Sequence, residues 1–194
     1  VRVLERVEEF KLNNLAGEEV WFRELLLCIL TSNSSFVSAY IALNAIIPYV
    51  FNSDINKISK ILKNSRYRFY NIKAKYIYEA KKFYGNLKST VKPIADKDQF
   101  EAREFILNNF LGLGMKESSH FLRNVGYFNL AIIDRHVMNF LYKNAIIESN
   151  IIKLNKTRYL YYESFLRSIA TSVGYEVGVL DLFIWFHETG TLLK

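Results

Sequence analysis

Apolar residues recur at three- and four-residue spacing through most of the chain, the period of amphipathic helices rather than of strands. Ser53-Asp54 is placed to cap a helix whose Ile55, Ile58, Ile61 and Leu62 share one face. From Tyr70 to Tyr84 the pattern puts Ile72, Tyr76, Ala80 and Phe83 inward and Lys73, Lys75, Lys81 and Lys82 on the other faces, with Gly85 as the stop. That basic face is either an ordinary solvated lysine surface or a phosphate contact. Further helices are predicted at about 21–31, 35–49, 97–109, 116–125, 134–143, 157–172 and 176–188. With two prolines and eight glycines in 194 residues, little interrupts these patterns, and the predicted fold class is all-α.

Composition narrows the function classes. A 51% hydrophobic content supplies a core without staples, and the lone Cys28, in an apolar run, excludes intramolecular disulfides and a four-cysteine cluster. The longest apolar stretches, Leu25 to Leu30 and Val177 to Phe186, are broken or flanked by Arg23, Glu24, Asp181 and His187, so no membrane partner is expected. No secretory leader pattern opens the sequence, and an intracellular setting is expected. A net charge of +7 suits an anionic partner. No His, Asp and Glu cluster has metal-ligand spacing, so no metal and no cofactor is expected.

The chemistry concentrates between Phe100 and Leu141. A helical pattern ends at Phe110, the turn Leu111-Gly112-Leu113-Gly114-Met115-Lys116 follows, and a second helical pattern runs from Ser118 to Gly126. Two glycines one residue apart permit a tight turn at positive φ and leave N–H groups exposed beside a helix N-terminus, where a backbone phosphate can bind without base readout. Many helix–helix turns carry glycine for steric reasons alone. What distinguishes this one is Lys116 at the start of the second helix and Asp134 eighteen residues on, in Ala131-Ile132-Ile133-Asp134-Arg135-His136-Val137.

These two motifs, in residue type, order and spacing, resemble those of the helix-hairpin-helix DNA glycosylase superfamily. Ile132 and Ile133 replace the glycine and proline usual before the aspartate, a departure that points to the 8-oxoguanine branch. Chain length and the aromatic-rich end, Asp181 to Gly190 followed by Lys194, are similar to the short archaeal-type 8-oxoguanine glycosylase/AP lyases. The resemblance implies two helical lobes, a central barrel over about 18–128 and a second lobe from 1–17 with 129–194, and an active site in the cleft between them. It implies Lys116 as nucleophile and Asp134 as the essential carboxylate. Gly112 and Gly114 would hold the DNA backbone. The implied partner is double-stranded DNA containing oxidised guanine, met by a monomer.

The chemistry is consistent with that pair. Attack on a sugar C1′ needs a neutral amine, whereas an unperturbed lysine, with a pKa of about 10.4, is protonated at neutral pH. A helix N-terminus and desolvation in a cleft both disfavour an ammonium. A carboxylate nearby stabilises positive charge developing on the sugar as the base departs. The simpler alternatives are a phosphate-contacting lysine and a helix-capping aspartate. A non-catalytic hairpin module and a monofunctional glycosylase for alkylated bases are the competing functions.

Substrate choice rests on scattered positions. His120, one turn after Lys116, either borders the everted base or packs internally. Asn33, in Leu30-Thr31-Ser32-Asn33-Ser34-Ser35, faces the estranged base by the resemblance, or else caps the following helix. Trp185 offers a stacking face, or is core. The carboxylate of Lys194 is a candidate acceptor for the N7–H that distinguishes the oxidised base from guanine.

Overall fold

The computed structural model describes residues 2–148 and 154–192, and within them the chain is all-α, with eleven α-helices and no strand. In order these are α1 (Arg2–Leu15), α2 (Glu18–Thr31), α3 (Phe36–Ile46), α4 (Ile55–Asn64), α5 (Tyr70–Ala80), α6 (Leu87–Lys97), α7 (Gln99–Asn109), α8 (Met115–Asn124), α9 (Arg135–Lys143), α10 (Lys156–Ser172) and α11 (Val177–Thr189).

Helix α2 is the axis of the molecule. It buries Trp21, Phe22 and the whole run Leu25 to Leu30, Cys28 included, because α3, α5, α6 and α8 surround it. The apolar clusters divide accordingly. The largest runs from Trp21 to Leu130, a second joins Ala131, Ile133, Val137, Met138 and Leu141 to α10 and α11, and a third packs α1 (Val3, Val7, Phe10) on Phe128, Val179 and Leu182. No single helix among the described residues is long and apolar enough to cross a membrane, and α10 and α11 are bent by 90° at their junction.

Local rules account for most helix starts. Asp54 caps α4 through Lys57 N at 2.7 Å, and Asp98 caps α7 through Phe100 N and Glu101 N. Two helices were not anticipated, α1 and α6. Helix α6 contains Pro93, and its first N–H groups, together with that of Gly85, are taken not by a neighbour but by the Glu18 carboxylate of α2: Gly85 N, Leu87 N and Lys88 N each donate to it at 2.9 Å.

Helix α5 corrects an expectation. Ile72, predicted inward, is 47% exposed, while Lys73, predicted outward, is 3% exposed beside the buried Ala74, Ile77 and Ala80. The four lysines therefore do not form one solvated face. Lys73 Nζ donates to Ile29 O at 2.6 Å, satisfying a carbonyl near the end of α2, and the Lys81 amine donates to Ser53 O at 2.7 Å.

Candidate active site

Helix α7 ends at Asn109 and α8 begins at Met115, so five residues, Phe110 to Gly114, make the turn between them. Gly112 takes φ +81°, and a Cβ there would lie 2.3 Å from Cδ2 of Tyr76, so the α5 ring presses directly on the hairpin backbone. Gly114 differs from expectation. It is extended (φ −95°, ψ −168°) as the N-cap of α8, and its N–H is not left open but donates to Glu117 Oε2 at 3.3 Å. A glutamate three residues after the cap is half of a capping box, a signal already present in the sequence.

Lys116, the second residue of α8, keeps about a third of its side chain exposed, and its Nζ lies 3.1 Å from Oε1 of the largely buried Glu117. A second amine sits beneath. Burial pushes Lys73 down to about 8, with the Glu117 carboxylate opposing and the Lys116 charge reinforcing the shift. Glu117 thus lies in the field of two lysines, one exposed and one enclosed. Neither Glu117 nor Lys73 was singled out in the sequence.

Asp134 caps α9, its Oδ1 accepting from His136 N at 2.9 Å and Val137 N at 3.1 Å. The residues leading to it, Ala131 to Ile133, are buried and non-helical, and α10 holds them: Glu163 Oε1 accepts from Ala131 N (2.8 Å), while the Tyr159 hydroxyl donates to Ala131 O (2.7 Å) and accepts from Ile133 N (3.2 Å). Met115, next to Lys116, packs on the apolar cluster that contains Ile133 and Val137, the residues flanking Asp134 and His136. Further along α8, Arg123 is fully buried against Asp181 of α11 (2.5 Å), and Asp134 is among the carboxylates whose field it feels.

The remaining candidates are dispersed. His120 is enclosed in α8 at 1% exposure. Trp185 of α11 meets the ring of His136, two residues from Asp134, edge-on at a centroid distance of 4.5 Å, which brings an indole to the end of α9 that carries the carboxylate. Asn33 does not cap α3; Ser35 does, accepting from Ser38 N at 3.2 Å, and Asn33 stands exposed at the turn with φ +61°. Lys194 lies outside the described residues. Among the described residues, no three His, Cys, Asp or Glu side chains are grouped to hold a metal ion.

An all-α chain with a glycine hairpin, a lysine at the head of the next helix and an aspartate capping the one after has the architecture of the helix-hairpin-helix DNA glycosylases. The solved structures agree. The 8-oxoguanine DNA glycosylase of Thermotoga maritima superposes with a TM-score of 0.89 at 36% identity, over 99% of this chain and 91% of that one. The Methanocaldococcus jannaschii 8-oxoguanine glycosylase/lyase, solved in complex with 15mer DNA containing 8-oxoguanine, gives 0.92 at 38% identity, again over 99% and 91%. A family model described as 8-oxoguanine DNA glycosylase matches residues 3–175. Proteins named 8-oxoguanine DNA glycosylase/AP lyase from Sulfurisphaera tokodaii and Saccharolobus solfataricus are 62% and 57% identical over 100% of this chain and 94% of their own length. The chain belongs to the 8-oxoguanine DNA glycosylase family.

Proposed function

We propose that this protein removes 8-oxoguanine from double-stranded DNA and cuts the strand 3′ to the resulting abasic site, with Lys116 as nucleophile and Asp134 as the carboxylate that assists base departure. The observation that carries the reading is Lys116 at the head of α8, directly behind the Gly112–Gly114 hairpin, on the helix whose Met115 packs against the apolar cluster that contains Ile133 and Val137. The relatives named for both activities align over the whole chain.

In this mechanism the Lys116 amine, once neutral, forms a bond to C1′ as the bond from C1′ to the base breaks. The departing base takes its electron pair and a proton. Asp134 offsets positive charge on the sugar while its cap keeps the carboxylate fixed relative to α9. Opening of the sugar ring gives the Schiff base, which acidifies the 2′ hydrogen. Loss of that proton expels the 3′ phosphate. Glu117, already in contact with the Lys116 amine, is placed to receive its proton before attack.

The hairpin would track the phosphate backbone, with the +7 charge favouring approach to DNA. Trp185 would flank the everted base from the His136 side, His120 would back the pocket from within α8, and Asn33 would reach the estranged base from its exposed turn. The lobes would divide at about residues 18–128 against 1–17 with 129–194, a division that the separate apolar clusters support. Because one chain supplies both Lys116 and Asp134, a monomer suffices, and chromosomal DNA as substrate implies work inside the cell.

Borohydride trapping on a duplex with one 8-oxoguanine opposite cytosine tests the proposal. A lesion-dependent covalent band is expected, lost in Lys116→Gln, which should slow strand cleavage by roughly three orders of magnitude or more while retaining DNA affinity. A band with an abasic duplex but not with the lesion would keep the lyase and change the substrate. No band with either would leave a DNA-binding module.

A further inference from the structure

The cap fixes Asp134 relative to α9 but not relative to the helix that carries Lys116. Attack with base departure needs both groups in register, and a misplacement near 1 Å can cost on the order of 100-fold in rate. Ala131 to Ile133 form no helix of their own, yet they are buried, so their backbone groups need partners from elsewhere. Three of those groups, Ala131 N, Ala131 O and Ile133 N, are satisfied by two buried side chains one turn apart on α10, Tyr159 and Glu163.

The same two side chains reach α8. Arg103 of α7 donates to both Glu163 oxygens (2.7 and 2.9 Å) and to Ser119 Oγ (3.2 Å). Ser119 Oγ in turn donates to Met115 O at 2.9 Å, the carbonyl immediately before Lys116, and its hydroxyl also lies against that of Tyr159. Polar contacts therefore run from the residue before Lys116, through Ser119, Arg103 and Glu163, to Ala131, and Tyr159 adds its bonds to Ala131 and Ile133 beside them. The Arg103–Glu163 pair is bidentate and 1% exposed on both sides, the stiffest kind of link in such a network.

We infer that Tyr159 is a positioning residue for the proposed reaction: its hydroxyl, working with Glu163, holds the Asp134 segment at a set distance from the Lys116 helix. This rests on the assignment of Lys116 and Asp134 above. Burial keeps the Tyr159 phenol protonated far above its usual range, so the donor to Ala131 O persists at any working pH. Removal of one oxygen, in Tyr159→Phe, deletes two of the three links and leaves the ring's packing in place.

The test is single-turnover base release at saturating enzyme on the 8-oxoguanine duplex, with duplex affinity measured alongside. Tyr159→Phe should slow base release roughly 10- to 100-fold with affinity within about two-fold of the parent. In an Asp134→Asn background, the same change should slow release less than about two-fold further, because the group being positioned has already lost its charge. A rate equal to the parent's, or an equal slowing in both backgrounds, would overturn the inference. If Tyr159→Phe does not fold, Ser119→Ala, which cuts the network at its α8 end, should give the same pattern at smaller amplitude, and an unchanged rate there would overturn it too. Asp134→Asn releasing base at the parent rate would instead remove the active-site assignment itself.

Discussion

The two halves of the site are built on different principles. The Lys116 half is local: hairpin, N-cap and lysine lie within five residues, Gly112 to Lys116, and Glu117 bonds back to Gly114 across three positions. The Asp134 half is local only at its last residue. Its approach, Ala131 to Ile133, depends on side chains 26 to 32 residues later in the chain, contributed by α10. A site with one self-contained half and one suspended half should respond unequally to damage in its surroundings, and three variants sharpen that contrast.

The largest effect is expected where the suspended half is anchored. Glu163→Ala leaves the Arg103 guanidinium buried without its carboxylate and Ala131 N without an acceptor, so it should cost about 3–5 kcal/mol, read by denaturant unfolding. An ordinary surface-like loss well below that would mean the approach to Asp134 holds itself.

The next variant addresses the floor beneath Lys116. The buried Lys73 amine has its value lowered from 10.5 to about 8, so it penalises the folded state below about pH 8. That penalty is relieved as pH rises towards 10.5, because the unfolded chain then keeps a proton that the folded chain has released. Relative to Lys73→Met, the parent should therefore gain stability between pH 7 and pH 10, by up to roughly 3 kcal/mol. A pH-independent difference between the two proteins would show that Lys73 does not deprotonate in the fold.

The smallest effect falls on the self-contained half. Gly112→Ala puts a side chain at φ +81° and against the Tyr76 ring, which should cost about 1–3 kcal/mol of stability and weaken binding to undamaged and damaged duplex alike. Weaker binding to the lesion duplex alone would transfer the hairpin's role from backbone tracking to base recognition.

How much of this was legible beforehand follows the same division. The hairpin and Asp134 as a cap could be read because glycine, acid and lysine act there on groups within a few residues. Glu117 carries a readable local signal, the capping-box spacing after Gly114, but its place between Lys116 and the buried Lys73 is set by α5. Helix α6 left little signal because its start is satisfied by Glu18, nearly seventy residues earlier, and Pro93 interrupts its interior. Asn33 illustrates the reverse error, since a residue suited to capping α3 stands two places before the one that does so, Ser35.

By itself the sequence determined the all-α class, most helix positions and the residue types on which the proposed chemistry rests, because helical period, caps and turns act over three or four residues. Tertiary structure alone decided which way α5 turns, with Ile72 outward and Lys73 inward beneath Lys116. It also decided that Tyr159 and Glu163 hold the approach to Asp134. Those outcomes depend on burial among helices distant in the chain, where the free energy of enclosing an amine or satisfying a backbone group is set by neighbours that no local spacing encodes.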